Sequence, residues 1–259
     1  MGMRYTTNVT FNGTNLNTLP GVNIVNYDIV QLPSRNLTVS KLARANKSVL
    51  TSAEYSTKTV TVSGYVGGNG ILEVQENFNR LRGYIQTVEA PLRLQYGTDQ
   101  VEYTATLNGV SSSMVGPNYN FVFSFVCSNP VGTSVSLSTL FNNEVITNSS
   151  KVIPFNVEGA FYAEPVITLV YTTATGATGG SISVLDAVTN RGIKIEGDFQ
   201  DGDIVTIDSS TFTVLVNAAP VDFMGQFPTF LPGIRSIQYI DDFSGRSVSV
   251  SATYNRKYI

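Results

Sequence analysis

Apolar residues recur at steps of three and four in one stretch of the chain, residues 69–91. At this spacing Ile71, Val74, Phe78, Leu81 and Ile85 fall on one face of a helix. The pattern predicts an amphipathic helix over about residues 71–85, with these five side chains packed in a core. Helical periodicity is not convincing anywhere else in the sequence.

The residues at both ends of this predicted helix are of types that favour the start and the end of a helix. Asn69 or Gly70 can cap the start, and Glu73 lies in the first turn, where a negative charge suits the helix dipole. Arg82 lies near the other end, and Pro91 closes the segment. One helix set between strand patterns is then a topological marker of the first half of the chain.

The rest of the chain alternates apolar and polar residues over short runs, which is the pattern of half-buried β-strands. In the first half, strands are predicted within residues 8–16, 22–32, 57–66, 92–96, 101–107 and 119–127. In the second half, they are predicted at residues 152–157, 165–172, 181–188, 192–196, 203–208, 211–216, 234–240 and 247–254. The fold class is therefore mainly β.

Residues 34–52 are polar and have little strand pattern, and Lys41, Arg44 and Lys47 recur through them. Two interpretations remain open for this stretch. It is either a solvated loop or an arm that docks on a neighbouring subunit. Tyr55 follows it and leads into the next predicted strand.

A segment rich in Ser, Thr, Asn, Pro and Gly, residues 128–150, interrupts the patterning near the middle of the chain. It suggests two domains, residues 1–129 with the helix and residues 130–259 with strands alone. Regular short strands separated by turns indicate a β-sandwich or jelly roll for the second domain. The last strand could instead return to pack on the first domain.

Composition narrows the range of partners. Charged residues make up 14% of the chain, the net charge is −3 and the isoelectric point is near 5.0, so nucleic acid is a poor candidate. The single cysteine, Cys127, excludes an internal disulfide framework and is expected to be a buried, inert thiol. Neither a secretory signal nor a membrane-spanning run is expected.

The sequence contains no histidine, which excludes histidine-based triads and histidine metal sites. One cluster of acidic residues is the best remaining candidate for chemistry: Glu196, Asp198, Asp201, Asp203 and Asp208. We favour a hairpin with Asp201-Gly202 as its turn. Calcium binding and two-carboxylate glycosidase chemistry are the alternatives.

Four aromatic residues, Tyr162, Tyr171, Phe199 and Phe223, could stack on a sugar. However, the chain has no tryptophan, which is the usual best platform for stacking. Core or interface packing is the favoured interpretation. No cofactor, metal site or catalytic residue is expected.

At the level of motifs, most of the chain resembles the distal tail proteins (Dit) of long-tailed phages. The resemblance rests on several stretches, each quoted by its position in this sequence: 9–13 (VTFNG), 41–44 (KLAR), 55–64 (YSTKTVTVSG), 91–94 (PLRL), 127–130 (CSNP), 202–208 (GDIVTID), 227–228 (FP), 231–233 (LPG) and the closing strand 248–258. The lone helix falls between the third and fourth of these stretches.

The resemblance implies a first, belt-like domain that assembles as a hexameric ring, and a second, galectin-like sandwich that faces outward. Such a ring joins the tail tube to the tail tip or baseplate, is part of the virion, and is assembled in the host cytoplasm. It also implies a subunit interface, for which Lys41, Arg44, Lys47 and Tyr55 are the candidates. The partners would be tail-tube and tail-tip proteins, with a host-surface saccharide as a further candidate.

Other functional classes remain open beside this one. A carbohydrate-binding or adhesin module of a phage tail would be a monomer with affinity for sugar. A tail-tube protein would form tubes rather than one isolated ring. A glycosidase would turn over substrate, which the absence of histidine and the scattered acidic residues disfavour.

Overall fold

The structure, a computed structural model, describes residues 7–28, 31–41 and 48–259. It confirms a mainly β fold, with one α-helix and one short 3-10 helix in the described part of the chain. The chain divides into two compact units. The first comprises residues up to Val135 together with Ile259, and the second runs from Ser136 to Tyr258.

The first unit contains an antiparallel sheet with the strand order β2-β1-β7-β8-β9-β6-β3. Its members are β1 (Val9–Phe11), β2 (Thr14–Asn15), β3 (Val22–Asp28), β6 (Lys58–Val66), β7 (Ala90–Tyr96), β8 (Asp99–Val115) and β9 (Asn118–Cys127). The 3-10 helix, Leu16–Thr18, lies between β2 and β3. The start of a further strand, β10 (Gly132–Ile146), pairs with β8 through Thr133 and Ser134.

The α-helix of the first unit, α1 (Ile71–Tyr84), starts where the sequence places it. Val74, Leu81 and Ile85 are buried, and the buried ring of Phe78 stacks on Tyr119 of β9 with ring centres 5.4 Å apart. The start has no side-chain cap on Gly70, and the Glu73 carboxylate accepts a hydrogen bond from the Asn69 N–H at 2.7 Å.

Ile71 is a correction to the predicted helix core, because its side chain is 53% exposed. The buried face is centred further round the helix and includes Asn77, whose amide donates to the Gly67 carbonyl at 3.3 Å. Ile71 lies at the margin of that face and in the first turn. A polar residue that has a backbone partner can thus occupy a buried position that hydrophobic spacing does not reveal.

The polar stretch after β3 forms a β-hairpin, so the interpretation as a loop is wrong. Its strands are β4 (Arg35–Lys41) and β5 (Ser48–Tyr55), paired antiparallel from Arg35 opposite Tyr55 to Lys41 opposite Ser48. In the described part of the chain these two strands pair with each other and with no third strand. Their pairing comes from backbone hydrogen bonds, and this is why the side-chain pattern did not predict it.

Some strand limits also differ from the predicted ones. Strand β3 is described over Val22–Asp28, and residues 31–32 at the end of the predicted strand 22–32 are not in a strand. The strand predicted at 101–107 continues to Val115 as β8. Residues 110–115 of β8 alternate poorly because both of their faces are largely exposed. Pairing with β9 alone extends the strand there. Likewise, the segment 128–150 contains the 15-residue strand β10, although composition suggested irregular structure.

The second unit is a sandwich of two antiparallel sheets. One has the order β17-β16-β15-β12-β20-β10 and the other β11-β19-β13-β14-β18. The strands not yet given are β11 (Ser150–Val157), β12 (Val166–Thr175), β13 (Gly180–Asp186), β14 (Gly192–Gly197), β15 (Ile204–Asp208), β16 (Thr213–Val216), β17 (Ala219–Pro220), β18 (Met224–Gly225), β19 (Gly233–Asp241) and β20 (Gly245–Tyr258).

The core of this sandwich is made by residues from the inner faces of both sheets. Ile167 and Val250 come from the first sheet, and Ile193, Ile195 and Ile237 from the second. The last strand, β20, pairs with β12 within this unit. Over the described residues, no helix is long and apolar enough to cross a membrane.

Candidate functional site

Two of the predicted interface residues, Lys41 and Tyr55, lie in the β4–β5 hairpin. The backbone of Lys41 pairs with Ser48. Tyr55 ends β5 at the opposite end of the hairpin, and the Arg35 guanidinium lies 4.6 Å from the centre of its ring. Arg44 and Lys47 lie outside the described residues. Lys41 and Tyr55 therefore lie far apart along the hairpin.

The more informative feature of the hairpin is a set of exposed aliphatic side chains, which are not among the charged and aromatic residues predicted from the sequence. Leu37 and Val39 of β4 are 59% and 56% exposed, and the nearby Leu32 is exposed as well. Exposed aliphatic residues on a two-stranded sheet stabilise little within one chain, because such a hairpin is only marginally stable alone. Their signal in the sequence is weak, since polar residues separate them.

The acidic residues of the second unit accept hydrogen bonds within turns. Asp198 accepts from the Gly179 N–H and Asp201 from the Ala174 N–H, both at 2.7 Å. Asp203 is buried and accepts from the Gln200 N–H at 2.9 Å and the Asn217 amide at 2.7 Å. These bonds engage one oxygen each of Asp198 and Asp201 and both oxygens of Asp203, which gives the three carboxylates a structural role.

The remaining two acidic residues, Glu196 and Asp208, also interact with neighbouring side chains. Glu196 pairs with Lys194 at 2.6 Å. Burial raises the pKa of Asp208, but hydrogen bonds from Ser210 and Thr211 outweigh this effect, so its pKa is lowered. Within the described residues, no group of three or more acidic or cysteine side chains is arranged to hold a metal ion.

The expected hairpin at Asp201-Gly202 is a correction. The turn exists, with Gly202 at a positive φ of 91°. However, it connects β14 of one sheet to β15 of the other, which are not paired. The hairpin in this region is β15–β16, and its turn is capped by the Asp208 carboxylate through Ser210. Sequence shows the turn, whereas the choice of sheet depends on tertiary packing.

The four aromatic residues considered for sugar stacking are separated by the fold. Tyr171 and Phe199 are buried in the sandwich core. Tyr162 is partly exposed and lies under the Lys257 ammonium, 5.1 Å from its ring centre. Phe223 is partly exposed and packs edge-on against Phe227. No shared platform results from these positions.

One charged residue is buried although the sequence pattern does not indicate it. Lys58 is buried, and its ammonium nitrogen has no hydrogen-bond partner. It lies directly opposite Cys127 in the β6–β9 register and 5.3 Å from the ring centre of Tyr103. Burial lowers the pKa of Lys58 and raises the pKa of the Cys127 thiol to about 11. The thiol is therefore inert, as burial alone would make it.

Comparison with known protein families gives a match within the second unit. Residues 158–258 match the model of the C-terminal domain of the siphovirus-type tail component, the SPP1 Dit family. This part of the chain is therefore similar to the C-terminal domain of a phage tail component. No curated protein sequence matches this chain.

One solved structure extends the comparison to nearly the whole chain. The crystal structure of phage SPP1 Dit aligns over 98% of this chain and 100% of its own, with a TM-score of 0.73 and 14% sequence identity. At this identity the likeness shows a shared fold. A chain of the phage P2 baseplate in its Ca-activated conformation aligns over 96% of this chain and 97% of its own, with a TM-score of 0.41 and 10% identity.

Proposed function

We propose that this chain is a Dit-type tail protein that assembles as a hexameric ring, and that the ring is the hub that joins the tail tube to the tail tip or baseplate. The family match over residues 158–258 supports a place in the tail. The shared fold with SPP1 Dit supports the role of hub, since that protein is described as a paradigm of the hub of an adsorption apparatus. The first unit is the ring-forming part in this proposal.

The observation that carries the ring is the β4–β5 hairpin. It is a two-stranded sheet with exposed aliphatic residues, Leu37 and Val39, and it has no third strand within the described part of the chain. Such a hairpin needs a partner surface to be stable. We infer that it lies on the neighbouring subunit, with Lys41, Arg44, Lys47 and Tyr55 belonging to the same contact.

A second feature of the first unit also favours association. Strand β3 ends the sheet order, and its outer edge is covered only in part, because the Ile24 N–H donates to the Asn17 side chain and the Thr7 hydroxyl donates to the Val25 carbonyl. It carries the exposed Val25 at a bulge between Ile24 and Asn26. A head-to-tail contact can cover an edge of this kind, and it closes into a ring when its rotation divides a full turn.

Native mass spectrometry of the purified chain at low micromolar concentration tests the ring. We expect a hexamer that survives dilution and moderate salt, because obligate interfaces often bury about 2,000 Å² or more and apolar contacts dominate them. The double variant Leu37→Asp/Val39→Asp should dissociate to smaller species. Val145→Asp, an exposed aliphatic position outside the hairpin, is the matched control and should remain hexameric.

Two results would contradict this proposal in different ways. A wild-type spectrum that contains only monomer at physiological salt would remove the ring. A hexamer that persists in the double variant would retain the ring and exclude the hairpin as the subunit contact.

A further inference from the structure

Three adjoining cavities form a continuous groove on the second unit, which we name the Arg191 groove. Their volumes are about 390, 190 and 310 Å³. The first and second cavities share Arg191 and Gln226, and the second and third share Asp186, Thr189 and Thr229. One wall is the turn of residues 186–191 and the other is the segment of residues 224–231.

One end of the Arg191 groove is aliphatic. Val188 and Leu231 line the third cavity and are 78% and 61% exposed. These two exposed aliphatic residues come from separate stretches of chain and lie beside one concavity, which is typical of a protein-binding surface.

Arg191 lies at the middle of the groove, and it differs from the other basic residues of the second half of the chain in the partners of its side chain. Residues 131–259 contain seven basic and twelve acidic residues. Five of the basic residues form ion pairs: Lys151, Lys194, Arg246, Arg256 and Lys257. Arg235 donates to the carbonyls of Leu231 and Pro232. For the side chain of Arg191, the described residues provide neither an ion pair nor a hydrogen bond.

Both walls of the groove are held in place before any partner arrives. The Asp186 carboxylate accepts from the Val188 N–H at 2.8 Å, and the Asp186 N–H donates to the Arg191 carbonyl at 2.8 Å. On the other wall, the Gln226 N–H donates to the Gly192 carbonyl at 2.9 Å. A preformed groove loses little conformational entropy on binding, which favours affinity.

We propose that the Arg191 groove binds an extended segment of another tail protein, one that carries a carboxylate next to an aliphatic side chain. The carboxylate pairs with the Arg191 guanidinium, whose planar fork matches a carboxylate in two parallel hydrogen bonds. The aliphatic side chain packs against Val188 and Leu231. Strand β18, Met224–Gly225, ends its sheet beside the first cavity and offers its outer backbone edge. This proposal rests on the proposed role in a tail assembly.

The aromatic residues near the groove favour a peptide over a saccharide. Phe223 and Phe212 both meet Phe227 edge-to-face, with interplanar angles of 72° and 75°. Edge-to-face rings lie nearly perpendicular to each other, so they do not form one continuous flat platform on which a sugar could stack. The groove instead combines one unpaired cation with aliphatic contacts, which suits an acidic and apolar peptide.

An array of overlapping peptides from the virion's other structural proteins, incubated with the full-length chain, tests the proposal. We expect binding to peptides in which Asp or Glu adjoins an aliphatic residue. Titration of such a peptide should show that Arg191→Glu and Leu231→Asp each weaken binding about tenfold or more, as hot-spot residues do. Arg80→Glu and Val145→Asp are matched exposed controls elsewhere in the chain, and they should bind like wild type.

The proposal is overturned if no acidic and apolar peptide binds, or if Arg191→Glu binds as well as wild type. Binding to a glycan array that is lost in Arg191→Glu, without peptide binding, would assign the groove to saccharide and also overturn it. Native mass spectrometry tests the hexameric ring independently of peptide binding. The Arg191→Glu variant should remain hexameric, whereas a monomeric wild type that still binds peptide would contradict the ring and support the groove.

Discussion

At the scale of single residues, Lys58 is a basic residue in a buried environment that the sequence pattern does not indicate. It occupies the inward-facing position that begins β6, directly opposite Cys127, and its ammonium nitrogen is buried without a hydrogen bond. The ring of Tyr103 offers a cation–π contact, which compensates only in part for lost hydration. The residue therefore destabilises the first unit at neutral pH.

Lys58→Met should raise the free energy of unfolding by about 1–3 kcal/mol, because it removes a buried unsatisfied group while keeping an unbranched apolar side chain. Denaturant titration measures this difference. Lys151→Met is the matched control and should cost about 1 kcal/mol or less, since Lys151 is part of a surface ion pair with Glu144. A variant less stable than wild type would show that Lys58 has a stabilising role.

The same substitution has a pH signature. The folded-state pKa of Lys58 lies below the ordinary value of 10.5, so between the two values the unfolded state binds more protons and stability rises with pH. The advantage of the Met variant over wild type should therefore shrink as pH rises through this window toward 10.5. An advantage that stays constant up to pH 10.5 would mean that the pKa of Lys58 is not lowered.

At the scale of elements, helix α1 is held by its aromatic contacts with β9. Phe78 stacks on Tyr119, and its ring centre lies 6.4 Å from that of Phe121. Phe78→Ala should lower the free energy of unfolding by about 3–5 kcal/mol through lost burial and a residual cavity. Thermal and denaturant unfolding of the full chain measure this change.

Ile71→Ala on the same helix is the control for that prediction. Its side chain is half exposed, so the change should cost about 1 kcal/mol or less. If both variants unfold like wild type, the helix contributes little to the fold. If Ile71→Ala is as damaging as Phe78→Ala, then Ile71 is covered in the assembled protein, which would place the start of α1 in a subunit contact.

At the scale of the whole molecule, the two compact units lead to a prediction about where the chain can be divided. The second unit begins at Ser136, within strand β10. A fragment of residues 136–258 should be soluble and unfold cooperatively, because it keeps both sheets and the core residue Phe141. Calorimetry and amide NMR spectra of the fragment check this.

A fragment that starts at Asn143 is the comparison. Composition suggests a start within 128–150, but a start at Asn143 removes most of β10, including Phe141. It should be less stable by about 3–5 kcal/mol, which is the usual cost of losing a buried aromatic side chain. Equal stability of the two fragments would show that β10 adds nothing to the second unit. Failure of the longer fragment to fold would show that the units depend on each other.

Much of this fold could be predicted from sequence because its information is local. Apolar spacing locates α1, since Val74, Phe78 and Leu81 follow the period of a helix. Alternation locates the buried strands, and the motif stretches lead to the Dit family. Histidine-based chemistry is excluded by composition alone. Each of these conclusions depends on residue type and on neighbours a few positions away.

Tertiary structure alone decided the features that depend on distant parts of the chain. The β4–β5 hairpin is held by backbone pairing, which has no side-chain period to detect. The turn at Asp201-Gly202 joins two different sheets because the strands before and after it find their partners far away in sequence. Arg191, Val188 and Leu231 come together in one groove only because a turn and a loop some 40 residues apart lie side by side. The local pattern of apolar residues specifies which side chains of an element are buried. The pairing of elements decides which exposed side chains come together in a groove or an interface.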